Sequence, residues 1–175
     1  MTLRPYPELD AQLLREAFGH FPSGVAALAA EHAGERHVIV ASSFSVGVSL
    51  DPPLVAVFIQ QHSSTWTMLA QAQRIGVSIL GDAHAGACRQ LASRDKQARF
   101  HGVAAESRES GAIQIEGAAA WFECSVFDVR AAGDHEVVLL RIHGLLMEPD
   151  VAPLVFHRSR FTSVAAVPAP ALMVS

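Results

Sequence analysis

Hydroxyl and cationic side chains in two segments of the sequence can bind an anion such as a phosphate group. The segment Ser63–Thr65 directly precedes a short apolar stretch with helical spacing, so a helix that begins there would offer unpaired N–H groups to an anion. Arg94, Lys96 and Arg99 lie close together farther along the chain. A helix cap without a ligand and a solvated basic surface are the ordinary explanations of these two patterns.

Two further polar motifs stand at the ends of strand-like segments. Gly133-Asp134-His135 joins two long strand-like segments; glycine permits the turn, Asp134 can fix the loop, and the His135 ring can donate a hydrogen bond or stack. A glycine–aspartate hairpin turn without a ligand is the common alternative. Ser42 and Ser43 stand where a strand is expected to enter a loop, which frees backbone N–H groups for a ligand, although serines there often bond only to their own loop.

The sequence lacks the motifs of several common catalytic and binding sites. It contains neither of the nucleotide-binding glycine loops, GxGxxG and GxxxxGK[ST], and no GxSxG nucleophile motif. The nine histidines form no HxH, HExxH or HxxxH pair, and the two cysteines, Cys88 and Cys124, form no CxxC pair. We therefore predict no metal site.

Composition limits the classes of protein to which the chain can belong. A chain of 175 residues fits one domain, and a net charge of −4 with a single lysine argues against nucleic-acid binding. Half of the residues are hydrophobic and the mean hydropathy is +0.27, yet no apolar run reaches the ~18–20 residues that span a bilayer. We expect no membrane segment, and we expect the excess apolar surface to lie in a homodimer interface. The absence of a signal-peptide pattern and of paired cysteines favours a cytoplasmic location.

Hydrophobic periodicity predicts a mainly β protein with a few short helices. Helices are expected at 10–18, from the Ser63–Thr65 cap through Ala72, and at 83–93. Strands are expected at 24–31, 36–42, 54–59, 75–80, 117–130 and 136–147. Long antiparallel strands with few helices favour a β-barrel with attached helices. A single domain is expected at 10–164, between an N-terminal arm at 1–9 and a flexible Ala/Pro tail at 165–175.

The apolar residues of the expected strand at 117–130 change phase near its middle. Phe122, Cys124 and Val126 alternate with polar residues, whereas Phe127 and Val129 continue the pattern one residue out of step. One extra residue in the strand would account for the change. The sequence therefore predicts a β-bulge near Val126 and Phe127.

Several segments together resemble the flavin reductase-like family, the short-chain reductases that serve two-component flavin monooxygenases. The most specific is SSFSVGVSLDPPLV at 42–55, which is followed far downstream by the GDH motif at 133–135. The other matching segments are Phe21–Val25, Ser63–Thr65, Ala98–Val103, Glu123–Val126 and Pro153–Arg158. The resemblance covers residues 12 to 162 in the family's order and spacing.

The resemblance implies an FMN-binding split β-barrel that is antiparallel and homodimeric. It implies an NAD(P)H:FMN oxidoreductase that passes a hydride from NADH or NADPH to FMN, or to FAD, and supplies reduced flavin to a partner monooxygenase. A flavin-holding electron carrier without NAD(P)H activity and a split-barrel FMN-dependent oxidase are the alternative functions. Because the cofactors carry the redox chemistry, this function requires no acid or base from the protein.

The resemblance also assigns residues to the two ligands. The flavin-binding set is Ala41, Ser42, Ser43, Phe44, Ser45, Ser63, Ser64, Thr65, Lys96, Arg99 and Phe100. The NAD(P)H-binding set is Gly133, Asp134, His135, His157 and Arg158. Within the first set, Lys96 and Arg99 are expected to contact the flavin phosphate.

Overall fold

A computed structural model describes residues 4–5 and 8–165. The described chain is mainly β, with three short α-helices and only antiparallel strand pairs. Most of the expected N-terminal arm and nearly all of the expected C-terminal tail lie outside the described residues, and the expected domain bounds of 10–164 stay a prediction. In the described part of the chain, no helix is long and apolar enough to cross a membrane.

The elements follow one another in a β-rich order. The helices are α1 (Ala11–Phe18), α2 (Ser64–Leu69) and α3 (Ala85–Leu91), with a 3₁₀ turn at Asp82–His84. The strands are β1 (Ser23–Gly24), β2 (Ala26–His32), β3 (Glu35–Ala41), β4 (Phe44–Leu50), β5 (Pro53–Gln60), β6 (Ile75–Ile79), β7 (Ala105–Ser107), β8 (Ile113–Ile115), β9 (Ala120–Ala132), β10 (His135–Met147), β11 (Val155–His157) and β12 (Arg160–Thr162).

Side-chain caps begin two of the helices near the positions that the sequence predicts. The carboxylate of Asp10 accepts a hydrogen bond from the Leu13 N–H at 2.7 Å, and Ser63 Oγ accepts one from the Trp66 N–H at 3.2 Å. Each cap satisfies a backbone donor that the first turn of a helix leaves free. The start of α2 is thereby fixed directly after Ser63.

The main sheet curls because its two edge strands are joined by a very short link. Its strand order is β3-β2-β6-β9-β10-β5-β4, so β3 and β4 are opposite edges, yet only Ser42 and Ser43 separate them in the chain. Six of the seven strands, all except β4, contribute buried side chains to one cluster with Trp66 and Leu69 of α2. The sheet therefore wraps around this core as an open barrel, with a seam where the link runs from one edge to the other.

A second buried cluster lies on the other face of β2. Ala27 and Ala29 pack there with Leu91 of α3 and with Ile113 and Ile115 of β8. The two clusters cover both faces of β2, which explains its nearly continuous run of buried small and apolar residues.

The predicted β-bulge is confirmed. Pairing between β9 and β10 passes from Asp128 opposite Leu139 directly to Val126 opposite Leu140, which leaves Phe127 as the extra residue. A second irregularity lies between Ile142 and Gly144. The bulge accounts for the change of phase: Val126 packs against the main core cluster, whereas Phe127 and Val129 are exposed.

The loop expected after Ala41 is only Ser42 and Ser43 long, because β4 begins at Phe44 and includes Ser45. The sequence after Ser43 alternates apolar residues with serine and glycine, as a strand does. Both ends of β4 pair with β5, and the register shifts between Ser45 and Ser49. The three-residue strands β7, β8 and β12 were also not predicted, since such short segments carry too little periodicity to be recognised.

Candidate active site

A cavity of about 410 Å³ lies at the seam of the barrel, within the size range of small-molecule sites. We call it the seam cavity. Its walls come from the end of β3, the β3–β4 link, the end of β5, the cap of α2 and the start of β10. The lining residues are Ile39, Val40, Ala41, Ser42, Ser43, Phe58, Ile59, Gln60, Ser63 and His135.

The seam leaves backbone hydrogen-bonding groups of β3 free to meet a ligand. Among the described residues, β3 pairs only with β2, so the other side of the strand has no neighbouring strand. An edge strand presents a row of N–H and C=O groups on its open side. The Ser43 hydroxyl donates a hydrogen bond to the Phe58 carbonyl at 2.8 Å, which ties the link to β5 and holds this wall of the cavity in place.

The two cations predicted to bind phosphate both contact the Ser63–Thr65 segment, but in different ways. Lys96 is exposed, and its Nζ donates a hydrogen bond to Ser64 Oγ at 2.8 Å. Arg99 points into the fold: its Nη1 donates to the Val38 carbonyl at 2.8 Å and to Thr65 Oγ1 at 3.2 Å. Burial lowers the pKa of Arg99 from its ordinary value. Arg99 therefore braces β3 against α2, and Lys96 is the cation of the pair that a ligand can reach directly.

The GDH turn lies beside the seam cavity because Gln61 holds it there. Gln61 Nε2 donates hydrogen bonds to the carbonyls of Gly133 at 3.1 Å and His135 at 3.4 Å, and the Gln61 N–H donates to the Asp134 carbonyl at 3.2 Å. His135 Nδ1 lies 2.7 Å from an Asp134 carboxylate oxygen, and this hydrogen bond lowers the pKa of Asp134. Gly133 has a φ of +66°, a conformation that glycine adopts without strain.

The other predicted NAD(P)H-binding residues lie in a different part of the structure. His157 ends β11, and Arg158 forms the turn to β12, where its N–H donates to the Gly19 carbonyl at 2.8 Å. An Arg158 guanidinium nitrogen lies 3.1 Å from His20 Nδ1. Ser42 connects this region with the seam, since it also lines an adjoining cavity of about 300 Å³ beside Phe156.

Two predicted flavin-binding aromatic residues belong mainly to the packing. Phe44 begins β4 and packs against the main core cluster, and Ser45 pairs with Ala56 of β5. Phe100 packs against the second cluster and lies beneath the guanidinium of Arg36. Neither aromatic residue lines the seam cavity.

Sequence reasoning missed the β5 side of the seam cavity, formed by Phe58, Ile59 and Gln60, and it missed Gln61. Polar residues follow directly on the apolar run of β5, which is the one local signal that marks the end of that strand. The proximity of these residues to Ser43 depends on how the sheet curls.

Comparison with known proteins identifies the family. A family model described as a flavin reductase like domain matches residues 18–165. The chain belongs to the flavin reductase-like family. Among the relatives of this flavin reductase-like protein is a flavin reductase of Pseudomonas putida, which is 33% identical over 160 residues that cover 91% of this chain and 93% of the relative.

Two further relatives describe activities within the flavin reductase-like family. The reductase subunit HsaB of a flavin-dependent monooxygenase from Mycobacterium tuberculosis is 28% identical over 159 residues, covering 90% of this chain and 84% of HsaB. The structure of the NADH:FAD oxidoreductase SgcE6 from Streptomyces globisporus C-1027, solved with NAD and FAD fragments, has a TM-score of 0.85 at 30% identity and covers 94% of this chain and 98% of SgcE6. These comparisons confirm the predicted family, the mainly antiparallel fold and the flavin reductase activity.

Proposed function

We propose that the protein binds flavin in the seam cavity and transfers a hydride to it from NADH or NADPH. The observation that carries the proposal is the open edge of β3 at the seam cavity, where serine hydroxyls and His135 of the GDH turn join the lining. Lys96 adjoins this cavity, because it bonds to Ser64, the neighbour of the lining residue Ser63. The proposal includes either FMN or FAD as the flavin. It also includes both a flavin that exchanges as a substrate and one that stays bound as a cofactor.

The walls of the seam cavity fit an isoalloxazine ring. The ring carries hydrogen-bond donors and acceptors along one edge, which the open side of β3 and the hydroxyls of Ser42 and Ser43 can meet. Its flat faces need apolar cover, which Ile39, Phe58 and Ile59 supply. The bond from Ser43 to Phe58 preorganises this wall before the ligand arrives.

The phosphate of the flavin is assigned to Lys96 and Ser64. The exposed ammonium group of Lys96 already lies against the Ser64 hydroxyl, so a phosphate there would gain a charge-assisted hydrogen bond. The helix itself adds little, because α2 has only six residues and its cap already takes the Trp66 N–H. Arg99 holds Thr65 and β3 in position from behind.

Bound flavin and the reduced nicotinamide nucleotide supply the redox chemistry. The residues of the seam cavity would hold the two rings in contact and exclude water from the space between them. His135 lies at the boundary of the seam cavity, where its ring can contact the nucleotide, and Asp134 and Gln61 fix its orientation. Ser42 lines both the seam cavity and the Phe156 cavity, which supports an approach of the nucleotide from that side.

A homodimer is part of the proposal, because three strands expose large hydrophobic side chains. These residues are Val46, Val48 and Leu50 on β4, Phe127 and Val129 on β9, and Leu145, Leu146 and Met147 on β10. Leu50 is 91% exposed. Large hydrophobic side chains left exposed in this number on neighbouring strands are typical of an interface between subunits. We call this set the apolar strand surface.

The partner that consumes the reduced flavin is proposed to be a flavin-dependent monooxygenase. The support is the relationship to HsaB, which is named as a reductase subunit of such an enzyme. Buried free thiols at Cys88 and Cys124 fit the reducing environment of a cytoplasm, where both proteins would act.

The proposed function is tested by following NADH and NADPH oxidation at 340 nm in air, with and without added FMN or FAD. We expect oxidation that requires added flavin and saturates with its concentration. Purified protein that retains yellow flavin but oxidises neither nucleotide would instead favour an electron carrier. Production of hydrogen peroxide without either nucleotide would favour an oxidase.

A further inference from the structure

A third cavity, of about 410 Å³, lies between the end of helix α1 and the turn that joins β11 to β12. Its lining residues are Arg15, Glu16, Gly19, His20, Arg158 and Ser159. We call it the arginine cavity. Its volume matches that of the seam cavity, so it can hold a ligand group as large as a nucleotide phosphate.

The arginine cavity is connected with the seam cavity through the Phe156 cavity. Arg15, Gly19 and Ser159 line both the arginine cavity and the Phe156 cavity. Ser42 lines both the Phe156 cavity and the seam cavity. The three cavities therefore form a row, and a long ligand that begins at the seam cavity can end in the arginine cavity.

A close backbone contact brings the two arginines together. Arg15 lies in the last turn of α1, and the carbonyl of Gly19, directly after this helix, accepts the N–H of Arg158 at 2.8 Å. A Cβ on Gly19 would lie 3.6 Å from Arg158 Cα. Helix α1 and the β11–β12 turn therefore place two guanidinium groups in the wall of one cavity.

The arginine cavity carries a net positive charge. In the described part of the chain, neither Arg15 nor Arg158 takes part in a salt bridge. Glu16 is the one carboxylate among the described lining residues, so two permanent positive charges face a single negative charge. The chain as a whole has a net charge of −4. A concentration of unpaired cations in such a chain favours an anionic ligand at this place.

His20 and Ser159 add uncharged hydrogen-bond donors to the same cavity. A guanidinium nitrogen of Arg158 lies 3.1 Å from His20 Nδ1. Because a guanidinium group can only donate, Nδ1 is the acceptor, and the proton of the neutral ring is on Nε2. The Nε2–H of His20 and the hydroxyl of Ser159 can therefore both donate to an anion.

The turn that carries Arg158 adopts a conformation that its residues rarely adopt. Arg158 and Ser159 have φ values of +49° and +60°. Hairpin turns with two positive φ values strongly prefer asparagine and glycine, because other side chains are strained there. Strained residues of this kind cluster at functional sites. The strain at this turn therefore agrees with a binding role for its side chains.

Two aromatic rings lie beside the path from the seam cavity to the arginine cavity. Phe18 and Phe21 line the Phe156 cavity and are 68% and 76% exposed. Exposed aromatic rings are surfaces on which proteins stack nucleobases. An adenine stacked there would have its ribose close to Arg15, which lines both the Phe156 cavity and the arginine cavity.

We propose that the arginine cavity binds the 2′-phosphate of NADPH and makes NADPH the preferred hydride donor of this protein. The inference rests on the proposed function. With the nicotinamide at the seam cavity and the adenine in the Phe156 cavity, the 2′-phosphate accepts hydrogen bonds from Arg15 and Arg158. NADH has a hydroxyl group at the 2′ position and forms no such charge-assisted bond.

The first experiment measures KM for NADPH and for NADH with saturating FMN. Because a hydrogen bond to a charged group stabilises a complex substantially, KM for NADPH should be about tenfold lower than KM for NADH. Arg15→Ala should bring the ratio of the two KM values close to one. Arg160→Ala is the matched control and should keep the ratio, since Arg160 is exposed and lines neither the Phe156 cavity nor the arginine cavity.

A second experiment tests the phosphate site without flavin or turnover. Calorimetric titration compares adenosine 2′,5′-bisphosphate with adenosine 5′-phosphate, which differ only in the 2′-phosphate. The bisphosphate should bind about tenfold more tightly to the unmodified protein and to Arg160→Ala. Arg15→Ala should lose most of this difference.

The outcomes separate this inference from the function on which it rests. Equal KM values for NADPH and NADH, or equal affinities for the two adenosine phosphates, would overturn the 2′-phosphate site and leave the proposed function standing. So would an equal loss for both nucleotides in Arg15→Ala, which would assign the arginine to their shared pyrophosphate. Oxidation of neither nucleotide in the presence of flavin would overturn the proposed function, and the inference with it.

Discussion

At the scale of single residues, two neighbouring cations are suited to different tasks because they differ in burial. Arg99 donates hydrogen bonds to a backbone carbonyl of β3 and to Thr65, so its guanidinium is already paired with groups of the protein. Lys96 is exposed and has one hydroxyl as its partner. Exposed ammonium groups bind phosphate as mobile point charges, whereas a planar guanidinium with several bonds acts as a rigid brace.

Replacing Lys96 with alanine tests this division of tasks. Lys96→Ala should weaken FMN binding about fivefold to twentyfold, since it removes one charge-assisted hydrogen bond to the phosphate. Riboflavin, which lacks the phosphate, should bind as before. Titration of both flavins measures the effect, and Arg94→Ala, at an exposed arginine nearby, is the control. An equal loss for FMN and riboflavin would show that Lys96 does not bind the phosphate.

A buried thiol gives the protein a pH dependence on the alkaline side. Burial, with a smaller effect of the Glu123 charge, raises the pKa of Cys124 from 9.0 to about 12. Between these values the unfolded chain loses a proton that the folded protein keeps, so stability is complete below pH 9 and falls as the pH rises toward 12. The loss should approach about 1.4 kcal/mol for each pH unit in this window.

Urea unfolding at pH 8 and pH 10 checks this prediction. The unmodified protein should lose more unfolding free energy between these two pH values than Cys124→Ala, whose other groups, including Cys88, still titrate. An identical loss in both proteins would show that the thiol of Cys124 ionises without unfolding.

At the scale of elements, β6 crosses the short strand β8 so closely that only glycine fits at the contact. A Cβ on Gly76 would lie 2.0 Å from the Ile113 carbonyl oxygen and 2.7 Å from Trp121 Nε1. The same oxygen accepts the indole hydrogen bond of Trp121 at 3.2 Å. This crossing connects the main sheet to the second buried cluster.

A pair of glycine-to-alanine variants measures how much a side chain at this contact lowers the free energy of unfolding. Gly76→Ala should lower the free energy of unfolding by about 1–3 kcal/mol, because the backbone must shift to relieve the overlap. Gly86→Ala is the control: it lies exposed in α3 with open space around its Cβ position and should stabilise the protein by about 0.5–1 kcal/mol. Urea unfolding measures the free energy of unfolding of both variants. An equal change in the two would contradict the close crossing of β6 and β8.

At the scale of the whole molecule, the curl of one sheet creates the candidate site and leaves large hydrophobic side chains exposed on three strands. The seam brings the end of β3 to the end of β5, while β4, β9 and β10 present hydrophobic side chains to the outside. A surface of this kind would be costly to leave in water, so a second subunit is the expected cover.

The oligomeric state tests the role of the apolar strand surface. The unmodified protein should elute as a dimer in size-exclusion chromatography with light scattering. Leu50→Glu should shift it toward the monomer, because a charge would have to be buried in an apolar interface. Val164→Glu, at an exposed position outside these strands, should remain dimeric. A monomer in the unmodified protein would contradict the proposed assembly.

Features that depend on local pattern were predictable from the sequence. The long strands follow from their alternation, and the bulge at Phe127 follows from the phase change in the same strand. The contact of Lys96 with the Ser63–Thr65 segment agrees with the expectation that both bind one phosphate, although the ligand-binding roles of all the site residues stay predictions.

Features that depend on the curl of the sheet were not predictable. Nothing in the local sequence places Phe58 beside Ser43, because they meet only when the edge strands approach each other. The inward direction of Arg99 likewise depends on the position of the Val38 carbonyl. No strand was predicted between 42 and 54, where β4 begins at Phe44.

The most direct test of the account is the variant Ser42→Trp, since Ser42 lines both the seam cavity and the adjoining Phe156 cavity. Its flavin affinity and its rate of NADH oxidation would be measured beside those of Ser163→Trp, at an exposed serine that lines neither the seam cavity nor the Phe156 cavity. We predict that Ser42→Trp remains folded and loses at least about tenfold in both quantities, while the control keeps both. A folded Ser42→Trp protein that binds flavin and oxidises NADH as the unmodified protein does would contradict the assignment of the seam cavity as the site of the reaction.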